Sequence, residues 1–455
     1  VRRPDTRADE GALDCVIVGG GLAGLAAADR LRNRRILVIE ASERLGGRIL
    51  SFPRGDYWLN LGAHMFGGPG TPIGDLTVEL GLETRPIRGA LIGMSMGGRR
   101  LFSGAIESFP LRLPLSLAAR LSFIRMGIAL RRGVARTVDS LKPRPGEAPA
   151  ESRARGLAVD NGVTLSQRIG PLHPEVSAIL RAITERTGAD PDEMAAGYAL
   201  RSFTNVWSRH SPGCNLVGGS SGLPEALARR IGDRFLLGAE VSAVEARDEV
   251  VTVTCGIGST ARIVRARSAI VATPAFVTKR ILRNLPSATA DALGAIRYGA
   301  FLSAAVLTDE NSAMPWDRNY AISTPSRAFS VVFNQAAILR KQGPRAPGGS
   351  LMLFRGAKGA KSVMEADDAR IASTFADDLV AEFPECRGRL REVIVQRWDA
   401  GAPFSFPGRA TLQPALMAPL GRIFLAGDYL EFPNMEAAVA TGREAAEAAE
   451  RRLNA

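Results

Sequence analysis

Three glycines, Gly19, Gly21 and Gly24, stand in the pattern G-x-G-x-x-G between two apolar runs. The run before them, Asp14-Cys15-Val16-Ile17-Val18, is almost wholly apolar, as a strand buried on both faces is. The run after them, Leu22-Ala23-Gly24-Leu25-Ala26-Ala27-Ala28, reads as the start of a helix. Ile36-Leu37-Val38-Ile39 is a second buried strand, and Glu40 closes it 21 positions after Gly19. Strand, turn, helix and strand in so short a stretch make one βαβ unit. Gly19 permits the tight turn, Gly21 lets the backbone approach a pyrophosphate, and Gly24 lets helix and strand pack closely. The helix start then turns its unsatisfied N–H groups toward phosphate. A carboxylate at Glu40 is placed to accept from ribose hydroxyls. The expected ligand is a dinucleotide, and this motif alone does not separate NAD from FAD.

Later blocks narrow the choice. Glu43-Arg44-Leu45-Gly46-Gly47-Arg48 brings two more glycines and an arginine fork just after the second strand. Such a fork suits phosphate or a flavin carbonyl. Leu59-Asn60-Leu61-Gly62-Ala63-His64 follows closely. Near the end, Ile423-Phe424-Leu425-Ala426 is a buried strand stopped by Gly427-Asp428, and an Ala-rich helix runs from about Met435 to Leu453. A helix start carries partial positive charge, which suits the anionic edge of a reduced flavin.

With these blocks the chain resembles the flavin amine oxidase superfamily: monoamine and polyamine oxidases, protoporphyrinogen oxidase, and the phytoene and squalene desaturases. The similarity falls in blocks 14–48, 59–66, 216–227, 237–245, 268–276 and 423–446. It implies FAD, with Gly19, Gly21 and Gly24 on the pyrophosphate and Glu40 on the adenosine ribose. Arg48, with Gly46 and Gly47, would lie along the diphosphate and flavin, and Arg44 belongs to the same cofactor-binding block. Gly62 and Ala63 would pass close to the isoalloxazine, and Val241 would hold adenine through its backbone. Gly427 and Asp428 would meet the diphosphate–ribityl region. Met435 and Glu436 would offer backbone N–H groups at the flavin N1/O2 edge. Two departures matter. Covalent members of the family attach flavin to a C-terminal Cys that has no counterpart here, so the expected FAD is non-covalent. Many amine oxidases place a water-holding Lys near flavin N5, where a rough alignment puts Ser303.

The expected fold is α/β: a doubly wound, Rossmann-like FAD-binding domain with a second α+β substrate domain. The first would gather residues 1–85, 216–290 and 411–455, and the second 86–215 and 291–410. Helical periodicity appears in 115–135, 174–187 and 191–200, whereas the polar, Pro-rich stretch 142–155 reads as a loop. Three strands at 240–245, 250–255 and 261–266 form a meander, with a separate buried strand at 268–272.

Composition excludes several other classes. The net charge of +12 sets 58 basic against 46 acidic residues, with no dense basic run interleaved with aromatics, so nucleic acid is not an expected partner. Cys15, Cys214, Cys255 and Cys386 form neither a C-x-x-C pair nor a zinc spacing. His64, His173 and His210 lie far apart, so no metal site is expected. The cysteine usage fits a reducing cytoplasm, and the polar start lacks a signal-peptide core. The segment Leu113 to Arg136 reads first as an amphipathic helix packed on its own protein. The alternative is peripheral contact with a membrane surface. The oligomeric state is not legible.

Trp398 and Tyr429 are candidates to flank a substrate, with core aromatics as the equal alternative. His64 is a candidate to face the cofactor, a structural histidine being the stronger alternative. His210 and Cys214 read as loop residues. The expected reaction is hydride transfer from an organic substrate to flavin N5, with oxygen or another acceptor reoxidising the flavin. The bond oxidised is an amine C–N or an apolar CH–CH. The CH–CH reading makes a protoporphyrinogen-oxidase- or desaturase-like enzyme with a hydrophobic substrate. A redox-neutral isomerase or a structural FAD binder is the alternative of another class.

Overall fold

The computed structural model of the chain describes residues 13–87, 93–142, 144–207, 213–258, 260–340 and 345–454. Two seven-stranded sheets organise them. The first is built on Leu13–Val18, which pairs in parallel with Ile36–Ile39 on one side and with Thr260–Val271 on the other. Its side chains alternate between two cores. Cys15 and Ile17 pack with the helices Leu22–Arg30, Gly222–Ile231 and Met435–Asn454, while Val16 and Val18 pack with the antiparallel strands Glu240–Arg247 and Val250–Ile257. Burial on both faces is why the run is apolar throughout.

The sequence reading splits Thr260–Val271 into two strands at Arg267, but the structure has one. No Gly or Pro interrupts it, and Arg267 stays at its edge, donating to the Leu453 carbonyl (2.9 Å). Ala266 is the changeover residue. Up to it the strand pairs antiparallel with Val250–Ile257, and from it onward in parallel with Leu13–Val18. Ile423–Leu425 then takes the outer position beside Ala269–Val271. The long strand thereby carries the meander, the first strand and the C-terminal block in one sheet.

The second sheet runs in the order Leu390–Phe404, Arg297–Thr308, Gly349–Gly356, Val331–Asn334, Ala321–Ser323, Gly93–Met96, Arg99–Leu101. The last two strands are a correction, because within 86–215 the sequence reading marks helical periodicity and no strand. They escape a periodicity search because they are three or four residues long. Their turn is Gly97-Gly98, both in the left-handed region (φ +56° and +75°), as a two-residue hairpin requires. The stretch read as a loop at 142–155 is also corrected, since Pro149–Ala158 is a helix. Pro149 opens it, where proline's missing N–H costs nothing, and the Glu151 carboxylate accepts from the Ala148 N–H (3.3 Å).

The long helix Leu117–Ser140 packs against its own protein through Ala119, Phe123, Met126, Leu130 and Val134, spaced as one helical face. Its opposite face leaves Leu117, Leu121, Ile124 and Ile128 exposed. No helix among the described residues is long and apolar enough to cross a membrane.

Candidate active site and cofactor cradle

The glycine turn leaves room where a phosphate group would sit. Gly19 has φ +106°, and a Cβ there would come 2.8 Å from the Ala272 carbonyl oxygen. A Cβ at Gly24 would fall on the Gly19 carbonyl, so that glycine is needed for packing. Gly21 differs: its φ of −73° is ordinary and a Cβ would meet no protein atom within 4 Å. The helix it opens has no side-chain cap and no acidic residue in its first turn. Uncapped N–H groups facing open space fit an anion of the pyrophosphate type. Glu40 accepts from the Gly20 N–H (2.6 Å), the Ser42 N–H (2.9 Å) and the Ser42 hydroxyl (2.8 Å). A carboxylate offers about four lone-pair sites, so one remains for a ribose hydroxyl.

The second glycine pair lies against the first. Gly46 donates to the Gly20 carbonyl (2.9 Å), and Gly47 (φ +56°) would place a Cβ 3.2 Å from the Gly21 Cα. Arg44 is spent on its own loop, donating to the Leu45, Gly47 and Ile49 carbonyls, and its guanidinium lies 5.9 Å from the Trp398 ring. Arg48 reaches across the molecule to Asp428 (2.8 Å) and to the Gly401 carbonyl (3.1 Å). The Asp428 carboxylate offsets the burial of this guanidinium and holds its pKa above the ordinary arginine value. Gly427 (φ +147°) precedes that carboxylate and donates to the Thr441 hydroxyl (3.0 Å). Val241 sits buried in the strand Glu240–Arg247, at a register shift between Val241 and Ala243.

At the start of the last helix, Asn434 accepts from the Ala437 N–H through its side chain (2.8 Å) and from the Ala438 N–H through its carbonyl (3.2 Å). Among the described residues the Met435 and Glu436 N–H groups have no such partner. The Glu436 side chain turns away, capping helix Pro72–Glu79 through the Ile73 N–H (2.8 Å) and the Thr71 hydroxyl (3.0 Å).

Leu61-Gly62-Ala63-His64 is held from several sides. The Leu61 carbonyl accepts from the Ser303 hydroxyl (2.6 Å) and the Trp398 indole N–H (2.8 Å), both on the second sheet. Ser303 is therefore a structural donor in this chain. A Cβ at Gly62 would fall on the Arg48 carbonyl, and the Ala63 N–H donates to that carbonyl (3.0 Å). His64 is buried, with Nδ1 2.9 Å from the Gly62 oxygen and its ring edge-on to Phe333 (5.0 Å). Burial lowers its pKa to about 4. The folded form binds its proton less readily than the unfolded chain, whose histidine titrates near 6.5. Stability from this group is therefore present above about pH 6.5 and is lost as pH falls toward 4. The expected loss is about 3 kcal/mol at most. His64→Asn keeps a donor to the Gly62 carbonyl and removes the titration. The difference in unfolding free energy between wild type and H64N should change across that window, and a flat difference sinks the assignment.

Two expected candidates do not meet. Trp398 faces Leu61, whereas Tyr429 is 2% exposed and packs in a core with Ala275, Leu293 and Leu416. Cys214 lies in the short buried strand Cys214–Leu216, not in a loop, and His210 falls outside the described residues. Cys386 is buried beside Phe383 and Trp316. Asp190, Asp192 and Glu193 converge, but the Lys358 ammonium already sits among them, 2.8 Å from Asp192.

A cavity of about 340 Å³ opens between helix Leu117–Ser140 and the second sheet. Its walls are apolar, including Phe123, Met126, Leu130, Ile183, Phe203 and Val331. Val331 and Phe333 share one face of their strand, being two residues apart, so the cavity wall runs on to the ring against His64. Arg186 and Ser323 also line it, and neither stood out in the sequence. Their signal lies in burial, which no local pattern encodes.

A glycine turn that fits a pyrophosphate, joined to a second sheet by hydrogen bonds and with an apolar chamber beyond, is the arrangement expected of a cofactor-dependent oxidoreductase. The chain belongs to the flavin-containing amine oxidoreductase family, whose family model matches residues 22–449, and FAD is its non-covalent cofactor. It is 27% identical over 281 residues to an L-amino acid dehydrogenase of Synechocystis, covering 60% of this chain but only 58% of that protein. It is 26% identical to a coproporphyrinogen III oxidase of Mycobacterium tuberculosis, covering 94% of this chain and 95% of that one. The fold matches that of cyclohexylamine oxidase from Brevibacterium oxydans, with a TM-score of 0.76 and 21% identity, covering 98% of this chain and all of the other.

Proposed function

We propose that this chain oxidises a C–N bond of an apolar substrate held in the 340 Å³ cavity, with FAD lying along the glycine cradle. The observation that carries this reading is the shared strand face: Val331 lines the cavity and Phe333 packs on His64, next to Gly62 and Ala63. Gly19 and Gly21 hold the pyrophosphate while Gly24 packs the helix on Gly19, Glu40 holds the ribose, and Val241 the adenine through its backbone. Gly46, Gly47, Arg48, Gly427 and Asp428 line the diphosphate and ribityl chain. The Met435 and Glu436 N–H groups face the flavin edge at the helix start.

FAD, when bound, supplies a two-electron acceptor for hydride. The protein orients the substrate and excludes water. Loss of a hydride from the substrate C–H to the flavin and of one N–H proton to bulk solvent would leave C=N. Burial, which lowers the His64 pKa to about 4, makes its ring a weak proton acceptor. Glu107 is the one carboxylate among the described residues lining the cavity, and it is half exposed. A second reading, oxidation of a CH–CH unit, is favoured by Ser303, whose hydroxyl is committed to the Leu61 carbonyl.

Anaerobic mixing with amines, amino acids and porphyrinogens tests both. Bleaching of the flavin by an amino compound, with peroxide released on admitting air, is the expected result. Bleaching by a porphyrinogen or polyene precursor alone gives the second reading. A flavin that none of them bleaches rejects both in favour of a structural or redox-neutral role.

A further inference from the structure

Arg186 has no role in the cofactor cradle or the folding cores. It lies in the single turn Glu185–Thr187 that follows helix Pro174–Thr184. The turn is fixed from behind. Glu185 is 1% exposed and pairs with Arg355 (3.5 Å), and the Thr187 carbonyl accepts from the Tyr198 hydroxyl (2.7 Å). This packing leaves the Arg186 side chain as part of the cavity wall. Several half-buried arginines have carboxylate partners: Arg48 has Asp428, Arg153 has Glu431, and Arg345 has Glu310, while the fully buried Arg409 donates to the Gln413 side chain and the Tyr429 carbonyl. Arg186 has no hydrogen-bond or ion-pair partner among the described residues. Burial lowers its pKa and no charged neighbour offsets the effect. A guanidinium has five N–H donors and stays charged at neutral pH, so it holds an unmet demand for an anion.

Ser323 supplies a second, independent sign. It ends the strand Ala321–Ser323, is 9% exposed, lines the same cavity, and its hydroxyl has no partner among the described residues. Glu107, the nearest thing to a counter-charge on the wall, is engaged with Arg131 (3.5 Å) and the Trp207 indole (3.3 Å). Two unmet donors on apolar walls, with no free acceptor among the described lining side chains, call for a ligand that brings its own.

We propose that the cavity binds an amphipathic organic acid, its apolar body against Phe123, Met126 and Leu130 and its carboxylate on Arg186, with Ser323 as a further donor. This rests on the cavity being the substrate chamber, and it names the substrate class: the molecule oxidised carries a carboxylate as well as the C–H bond that yields hydride. An apolar α-amino acid and a ring bearing propionate arms both present that chemistry.

The test measures binding to the holoenzyme without turnover, by calorimetry and by the flavin difference spectrum. The probes are 3-phenylpropanoate and its primary amide, which differ only in charge. The acid should bind at least tenfold tighter than the amide. R186M should remove that preference, and R186Q serves if R186M fails to fold. The melting temperature of R186M should hold or rise, since an unpaired, half-buried charge is gone. Equal affinity for acid and amide in wild type, no binding of either, or a preference that survives both substitutions overturns the proposal. L-phenylalanine and coproporphyrin III, run as competitors, separate the two sources of the carboxylate. Failure of every amine to bleach the flavin would end the C–N reading and leave this measurement standing.

Discussion

Gly21→Val should give a folded protein that does not retain FAD. The two halves of that result have separate causes. The backbone at Gly21 has φ −73° and ψ 177°, which valine adopts freely, and a Cβ there meets no protein atom within 4 Å. The apo fold is therefore indifferent to the side chain. The open space is where the first helix turns its uncapped N–H groups, so a branched side chain displaces the phosphates from their donors. Losing two or more charge-assisted hydrogen bonds costs about 3 kcal/mol or more, roughly a hundredfold in affinity. Gly24→Val is the control with the opposite signature. Its Cβ would fall on the Gly19 carbonyl, and the protein should fail to fold whether or not FAD is supplied. Absorbance of the purified proteins and their far-ultraviolet circular dichroism decide the matter. A yellow Gly21→Val protein with normal FAD content would remove the pyrophosphate from this turn.

That contrast also marks what a sequence can convey. Both glycines were legible, because the spacing of G-x-G-x-x-G encodes a local turn whose geometry the chain cannot avoid. Cys15 to Val18 was legible because burial on two faces leaves no polar position to confuse the pattern. The strand Thr260–Val271 was legible only in halves. Arg267 looks like a break, and whether an arginine ends a strand depends on whether its side of the sheet is an edge. The helix Pro149–Ala158 was hidden by a weakness of composition reading: proline signals a loop in general and a first helical residue in particular. Tyr429 was visible as an aromatic beside Gly427-Asp428, but the side it faces follows from Leu293 and Leu416, which belong to distant segments. Arg186 lies at the far end of the scale. The chain has 58 basic residues, and what sets this one apart is a place in the cavity wall with no partner among the described residues.

Asn60→Leu should destabilise the protein by about 4 kcal/mol without emptying the phosphate cradle. Asn60 is 2% exposed and serves three groups from two distant segments. Its carbonyl accepts from the Ser220 hydroxyl (3.0 Å) and N–H (3.3 Å), and its amide donates to the Gln335 carbonyl oxygen (2.6 Å). Leucine has nearly the same volume and satisfies none of them. Each stranded buried group costs about 1–3 kcal/mol. For a chain of this length the unfolding entropy, about 2.1 cal/mol/K per residue, turns 4 kcal/mol into a fall of about 4 °C in melting temperature. Pairing the change with Gln335→Leu separates network from packing. Removing the second partner leaves fewer stranded groups, so the double variant should lose less than the sum of the two single losses. Strict additivity would show that Asn60 acts by shape alone. The network matters to chemistry through its neighbour. In the orientation that satisfies both its ends, Asn215 donates to the His64 carbonyl (2.9 Å) and accepts from Tyr320 (3.1 Å). Ser303 and Trp398 meanwhile hold Leu61. Residues 60–64 are thus held at the ends by Ser220, Gln335 and Asn215 and in the middle by Ser303 and Trp398 of the second sheet. A loosened Asn60 should let Gly62 and Ala63 shift against the ring they are proposed to meet. FAD should stay bound in Asn60→Leu while its visible spectrum moves, a combination that Gly21→Val cannot produce.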